Sequence, residues 1–290
     1  MKPAPFDYFA PTSLEEALDK LTELGYSGKV LAGGQSLIPA MNFRMARPAA
    51  LVDLNKVTEL SYIKPTDDGG LAIGTMTRVS VIEDSSVVKE RFPIIAEVMP
   101  NIAHKQIRNR GTFGGAIAHA DPAAQIPALS LLLDAKMKIQ SKKGERVVDA
   151  QDFFMGPFMT VLEPEDLLTE VRLPGLLPGT GCSYKQISRQ RGGYAQAAAI
   201  SKVVMDGIKV KDVSVVLFSV AETPVLTQEP RKVLVGQVPT AEAIEAVAAY
   251  VAQNECDPGT DIHGTTEYRR NLVHVLVRRS LNEAVERARK

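Results

Sequence analysis

Two glycine pairs, each set between an apolar run and a helix-like run, constrain this chain more than any other feature. The first lies in "KVLAGGQSLIPAMNF", Lys29 to Phe43, and the second in "IRNRGTFGGAIAHA", Ile107 to Ala120. Glycine is needed where the backbone takes a positive φ, or where another group comes too close for a Cβ. A strand that breaks at such a turn and restarts as a helix turns backbone N–H groups outward, a shape suited to an anion. Neither turn matches G-x-G-x-x-G or G-x-x-x-x-G-K-S/T, which removes the two commonest nucleotide fingerprints. Singly, either turn is more often structural than ligand-holding. Two in one chain, beside the hydroxyls of Ser36 and Thr112, raise the case for a ligand without deciding it.

Around these turns the pattern is α+β. Ser13 and Glu16 have capping-box spacing, and Leu14, Ala17, Leu18, Leu21 and Leu24 recur at helical intervals up to Gly25. "KVLAG" reads as a strand entering the first turn, and "ALVDLN", Ala50 to Asn55, as a second strand. From about Glu59, "LSYI" and "LAIGTMT" flank "DDGG", which is hairpin chemistry. Helical periodicity runs from Val79 to Ala103, broken by Pro93 and Pro100, and the second glycine turn opens a long apolar helix-like run. "KMKIQS" and "ERVVDA" flank "KKGE" as a further hairpin, and "EDLLTEVRLPG" is a strand stopped by Pro174. "GLLPGTG" then marks a domain boundary. Beyond it two β-rich runs meet at an Asp206-Gly207 turn, Thr240 caps a helix, and a long amphipathic helix closes the chain. The expected division is a domain over 1–175, with subdomains of about 1–58 and 59–175, then an antiparallel sheet with helices over 176–290.

Composition excludes several function classes. The formal net charge is zero, which argues against a nucleic-acid partner. No apolar run approaches the ~20 residues that span a bilayer, and "MKPAPFDYFAPTS" lacks the pattern of a signal peptide, so a cytoplasmic protein is expected. Cys182 and Cys256 are the only cysteines, too few for a disulfide framework, a Cys-rich zinc site or an iron–sulfur cluster held by this chain alone. His104 and His119 have no carboxylate at ligand spacing, so no metal site is expected, and His263 and His274 fall in the helical C-terminal region. No Ser or Cys nucleophile has a plausible base partner. Lys105, Arg108 and Arg110 read either as cations for a pyrophosphate or as a solvated helix end. Tyr184 and Tyr194, on either side of "KQISRQRGG", suit stacking on a flat ligand or packing between two domains equally well.

Taken together, "FDYFAPTSLEEAL", "LAGGQSL", "LVDLN", "IRNRGTFGG", "IAHADP", "LLTEVRLP", "YKQISRQRGGYA" and "DIHG" resemble the FAD-binding medium subunits of molybdenum hydroxylases. That family includes aerobic carbon monoxide dehydrogenase, quinoline oxidoreductase, nicotine and ketone dehydrogenases, and xanthine dehydrogenase. The resemblance covers essentially the whole chain, and the paired "AGGxS" and "RNRGTxGG" motifs carry it. It implies a two-subdomain vanillyl-alcohol-oxidase-type (PCMH) FAD-binding domain, followed by a CO dehydrogenase flavoprotein C-terminal domain.

By that resemblance, Ala32, Gly33, Gly34, Gln35 and Ser36 hold the FAD pyrophosphate through backbone N–H groups, and Leu31 before them also belongs to the cofactor site. Gly111, Thr112, Phe113, Gly114 and Gly115 bind the other side of the cofactor. Two donor loops would offset the desolvation of a buried pyrophosphate. Leu168 matches an apolar position at the cofactor, Lys185 a lysine that reaches it from the C-terminal domain, and Tyr194 an aromatic residue near the isoalloxazine ring. Relatives carry Asp or Glu where this chain has Gln125, so the contact to the adenosine ribose changes character, and Asp121 is a nearby substitute.

The implied function is electron transfer. A large partner subunit would hydroxylate the substrate at a molybdopterin centre, and a small one would carry two 2Fe–2S clusters. Electrons would leave from FAD on this chain to an external acceptor. The missing acid–base triad and the scarcity of cysteines agree with that division of labour. A dimer of heterotrimers is expected. Two other readings stand beside it: a non-catalytic scaffold of the same fold without cofactor, and a stand-alone FAD-dependent oxidoreductase. "IAHADP" and "DIHG" tilt the expected substrate towards an N-heterocycle or a nicotine-pathway compound over carbon monoxide.

Overall fold

The computed structural model describes residues 1–290. The chain opens with β1 (Asp7–Phe9), α1 (Leu14–Leu24), β2 (Gly28–Leu31), α2 (Leu37–Asn42) and β3 (Ala50–Asp53). The three strands make a small parallel sheet in the order β1-β3-β2. Ala17, Leu18 and Leu21 of α1 pack in one cluster with Val52 and Leu54, as the helical spacing predicts. The cap departs from a capping box in one respect. Ser13 Oγ accepts the Glu16 N–H at 3.2 Å, but the Glu16 carboxylate reaches past Ser13 to the N–H and hydroxyl of Thr12, at 2.7 and 3.0 Å. Gly25 ends the helix at φ 51°.

A second unit follows: β4 (Ile63–Pro65), β5 (Leu71–Gly74), α3 (Val79–Asp84), α4 (Ser86–Arg91), α5 (Pro93–Val98), α6 (Lys105–Arg108), α7 (Phe113–His119) and α8 (Gln125–Leu132). It continues with β6 (Lys136–Ser141), β7 (Gly144–Asp149), α9 (Ala150–Phe153), β8 (Phe154–Gly156), β9 (Met159–Thr160) and β10 (Leu167–Leu173). Its antiparallel sheet has the order β4-β5-β10-β6-β7. "LSYI" gives only Ile63 to a strand, because Leu60 is drawn into a 3-10 turn and buried in the cluster beneath α1. The long apolar run is two helices, not one. Ala120 ends α7 at φ 51°, and Asp121 Oδ1 then accepts the Ala123 N–H at 2.8 Å, turning the chain before α8. All of α8 is buried, since it packs between this unit and the C-terminal sheet.

The last unit contains β11 (Thr180–Ser188), β12 (Ala195–Asp206), β13 (Lys209–Phe218), β14 (Val225–Leu226), α10 (Glu229–Leu234), α11 (Ala241–Asn254) and α12 (Thr266–Ala288). The four strands are antiparallel in chain order. Both faces of this sheet are covered. Ala197, Ala199 and Val203 join the core beneath α11 and α12, whereas Ala198, Ile200, Tyr184 and Phe218 join the core of the second unit. Coverage on both faces explains why β12 is apolar almost throughout. Lys202 pairs with Asp134 at 2.6 Å across the same junction, and the Ser219 N–H donates to Pro122 O at 2.9 Å. No helix is long and apolar enough to cross a membrane.

Candidate cofactor-binding site

The fold lays the two glycine turns against each other. A Cβ on Gly33 would fall 2.4 Å from the Arg110 carbonyl oxygen and 2.8 Å from the Gly111 Cα, so only glycine permits the approach. On the other side of the junction, a Cβ on Gly115 would sit 3.3 Å from the Ala32 Cβ. The first turn leaves the end of β2, and Gly34 takes φ 73° within it. The second is fixed by Thr112, whose Oγ1 caps α7 by accepting the Gly115 N–H at 3.1 Å.

Two residues that the sequence reading passed over bind the turns together. Asn55 Nδ2 donates to the Ala32 carbonyl at 3.0 Å. Arg78 Nη2 donates to Asn55 Oδ1 at 2.5 Å, while its Nη1 donates to the Arg110 carbonyl. A single guanidinium therefore ties one turn to the other. Burial pushes Arg78 down from the usual arginine range, Arg110 adds to that, and the Asp53 carboxylate opposes it. It remains a cation, as arginine does in proteins.

The donors of the two turns differ. No protein group accepts the N–H of Gly33, Gly34, Gln35 or Ser36. In the second turn the Gly111 N–H goes to Ile107 O at 2.7 Å, Phe113 to Thr77 O at 2.9 Å and Gly114 to Thr75 O at 3.0 Å. With Gly115 held by Thr112, that turn has little left to give. The two turns thus differ in spare donors: the first keeps four free N–H groups, and the second only that of Thr112. The physical reason is that the second turn spends its hydrogen bonds on Ile107 of α6, on Thr75 and Thr77 just past β5, and on its own helix start.

The remaining expected site residues scatter. Phe113 and Leu168 are buried in the main core. Gln125 is buried at the junction with the C-terminal sheet, where its Nε2 donates to Asn101 O at 3.4 Å and Gln186 Oε1 at 3.3 Å. Lys185 pairs with Glu283 of α12. Alternation along β11 explains this: Cys182 and Tyr184 enter the core of the second unit, while Ser183 and Lys185 face α12. Tyr194 lies in the β11–β12 connection with 71% of its surface exposed. Desolvation at its hydroxyl end and the nearby Asp121 carboxylate push the phenol up. Gln35 Nε2 folds back onto Gly33 O at 3.0 Å, and Leu31 packs beside Gly34. Of the basic run, Arg108 is buried and bonded to Glu83 at 2.6 and 3.1 Å, so it is neither a phosphate ligand nor a solvated helix end. His119 packs on Phe158 with ring centroids 5.1 Å apart, and burial pushes it down.

Residues 4–176 match the model of the FAD binding domain in molybdopterin dehydrogenase, and residues 182–284 that of the CO dehydrogenase flavoprotein C-terminal domain. The chain belongs to this family. Among its relatives, it is 39% identical over 290 residues to the 6-hydroxypseudooxynicotine dehydrogenase complex subunit alpha of Paenarthrobacter nicotinovorans, covering 100% of this chain and 97% of the relative. It is 38% identical to the carbon monoxide dehydrogenase medium chain of Hydrogenophaga pseudoflava over 98% of each chain. It superposes on carbon monoxide dehydrogenase from Hydrogenophaga pseudoflava with a TM-score of 0.96 at 37% identity, over 99% of each chain. Quinoline 2-oxidoreductase from Pseudomonas putida 86 gives a TM-score of 0.94 at 33% identity over 100% of each. This flavoprotein is therefore the FAD-carrying subunit of a heteromeric molybdenum hydroxylase, an oxidoreductase whose fold is a FAD-binding domain followed by a flavoprotein C-terminal domain.

Proposed function

We propose that the FAD pyrophosphate rests on the Ala32–Ser36 turn, with Gly111 and Thr112 as the wall behind it. The observation that carries this is the row of free N–H groups at Gly33, Gly34, Gln35 and Ser36, with Arg78 and Arg110 beside it. A pyrophosphate taken from water needs just such donors and positive charge. A scaffold without cofactor has no use for four unpaired donors held in place by an arginine. When bound, FAD supplies the redox chemistry. The chain's own residues do the rest. Asn55 and Arg78 occupy the carbonyls of both loops, the Gly33–Arg110 contact fixes the width of the cradle, and Tyr194 is free to cover a flat ring. Gln125 and Lys185 become ligands only by leaving Gln186 and Glu283.

In this reading residues 1–175 form the cofactor domain and 176–290 the second domain. The partners are a large molybdopterin subunit and a small subunit with two 2Fe–2S clusters, assembled as a cytoplasmic dimer of heterotrimers with an external electron acceptor. The substrate is chosen on the large subunit. Relatives of 39% and 38% identity carry the names of different substrates, which supports that separation.

Replacing Gly34 tests the cradle. Gly34→Leu puts a branched side chain at φ 73°, and its Cβ alone would come 3.1 Å from Ile38 and 3.2 Å from Leu31. The expected product is folded protein that fails to take up FAD, read as loss of flavin absorbance near about 450 nm. Fully yellow protein would refute the proposal.

A further inference from the structure

The turn that follows α2, Phe43 to Arg47, is firmly held yet presents apolar side chains to solvent. Phe43 is 70% exposed and Met45 84%, the highest values for a phenylalanine and a methionine in the chain. Loose backbone is not the cause. The Arg44 N–H donates to Met41 O and the Met45 N–H to Ala40 O, both at 2.9 Å, and Arg44 takes φ 61°. This is a Schellman motif, whose left-handed position is ordinarily glycine and whose next residue packs back onto the helix. Here an arginine holds the left-handed position against its steric preference, and Met45 stays in solvent.

The local sequence carries one sign of charge. No acidic residue occurs between Glu23 and Asp53, whereas Lys29, Arg44 and Arg47 do. Arg47 Nε donates to Arg44 O at 3.0 Å and Arg44 Nε to Lys2 O at 3.4 Å, and neither guanidinium pairs with a carboxylate. Cations at a helix C-terminus complement its dipole, which accounts for the arginines but not for Phe43 and Met45. Aromatic, methionine and arginine side chains together are the residues enriched at protein interfaces.

We infer that the Phe43–Arg47 turn is the docking face for the small iron–sulfur subunit, whose matching surface is an apolar pocket rimmed by carboxylates. This assignment rests on the proposed set of partners. Position decides among them. FAD must receive electrons, and this chain has no centre to supply them: both cysteines are buried and free, and no group of side chains is placed to hold a metal ion. The subunit that carries the clusters must therefore rest beside the cofactor. Six-residue α2 starts directly after Ser36 and is about 9 Å long, so a chain seated on Phe43 and Met45 lies one short helix from the cradle. Arginines without carboxylate partners steer an acidic surface to this place and fix its register.

The test uses the complete complex, purified through a tag on this chain. A photo-crosslinking benzophenone side chain is placed at Met45 and, separately, at Arg47. Illumination should join this chain to the small subunit. Joining to the large subunit, to a second copy of this chain, or to nothing at either position would overturn the docking face. Arg44→Gly gives an independent readout, because glycine suits φ 61° and only the side chain is lost. The variant should be as heat-stable as the parent and carry as much FAD, released by acid and counted against protein. It should nevertheless hold the small subunit at least about tenfold more weakly, as should Phe43→Ser at its exposed site. Undiminished retention of that subunit by both variants would overturn the face alone. A parent complex without an iron–sulfur subunit would refute the proposed partners and this face together, and FAD content in the parent reports on the cradle.

Discussion

Gly33 is the residue on which the cradle turns, because its Cα–H meets the backbone of the opposing loop. Gly33→Ala would put a methyl 2.4 Å from the Arg110 oxygen, so one turn must move. The expected cost is about 1–3 kcal/mol of stability, with a parallel loss of bound flavin, measured by thermal unfolding and by the flavin-to-protein ratio. Arg78 acts from further off. Arg78→Met removes the tie between Asn55 and the Arg110 carbonyl and should weaken FAD binding at least about tenfold, read by titrating apoprotein with FAD. Arg78→Lys should not restore it, since one ammonium does not reproduce a fork with two separated donors. The glycines were legible in the sequence. Asn55 and Arg78 were not, because they act on residues 23 and 32 positions away and carry no local pattern.

At the scale of elements, β11 shows how strand parity assigns roles. Its odd residues Ser183 and Lys185 meet Glu283 on α12, and Arg287 of the same helix reaches Glu283 at 2.7 Å and also pairs with Glu97 of α5. The Lys185 ammonium first, then Ser183 and Arg287, hold the Glu283 carboxyl down at about 2. A carboxyl depressed on folding stabilises the protein above its ordinary range and loses that contribution as pH falls towards the folded value. Stability should therefore decline from about pH 4.5 towards pH 2 through this group, and Glu283→Gln should flatten that part of the acid limb in denaturant melts. Lys185→Met should have a related effect; if instead it abolished FAD binding and left the acid limb unchanged, Lys185 would be a cofactor ligand and not a partner of α12.

For the whole molecule the decisive fact is that the C-terminal sheet shares one core with the second unit. Phe218 is fully buried in that core and stacks with Tyr184 at a centroid distance of 6.4 Å. Phe218→Ala should cost about 3–5 kcal/mol, and because the core is continuous the FAD-binding and C-terminal domains should still unfold in one calorimetric transition. Two separated transitions would show that the domains are energetically independent.

Caps, the Asp206-Gly207 hairpin, the two glycine turns and the α+β order follow from neighbouring residues, and the sequence by itself determined them. So did the family, through motifs read in order. The tertiary structure alone decided which of the two turns keeps free donors, which side of β11 faces α12 and what takes up Gln125. The reason is physical: a turn's spare hydrogen bonds and a strand's buried face are set by the partners that fold against them, and those partners lie far away in the chain.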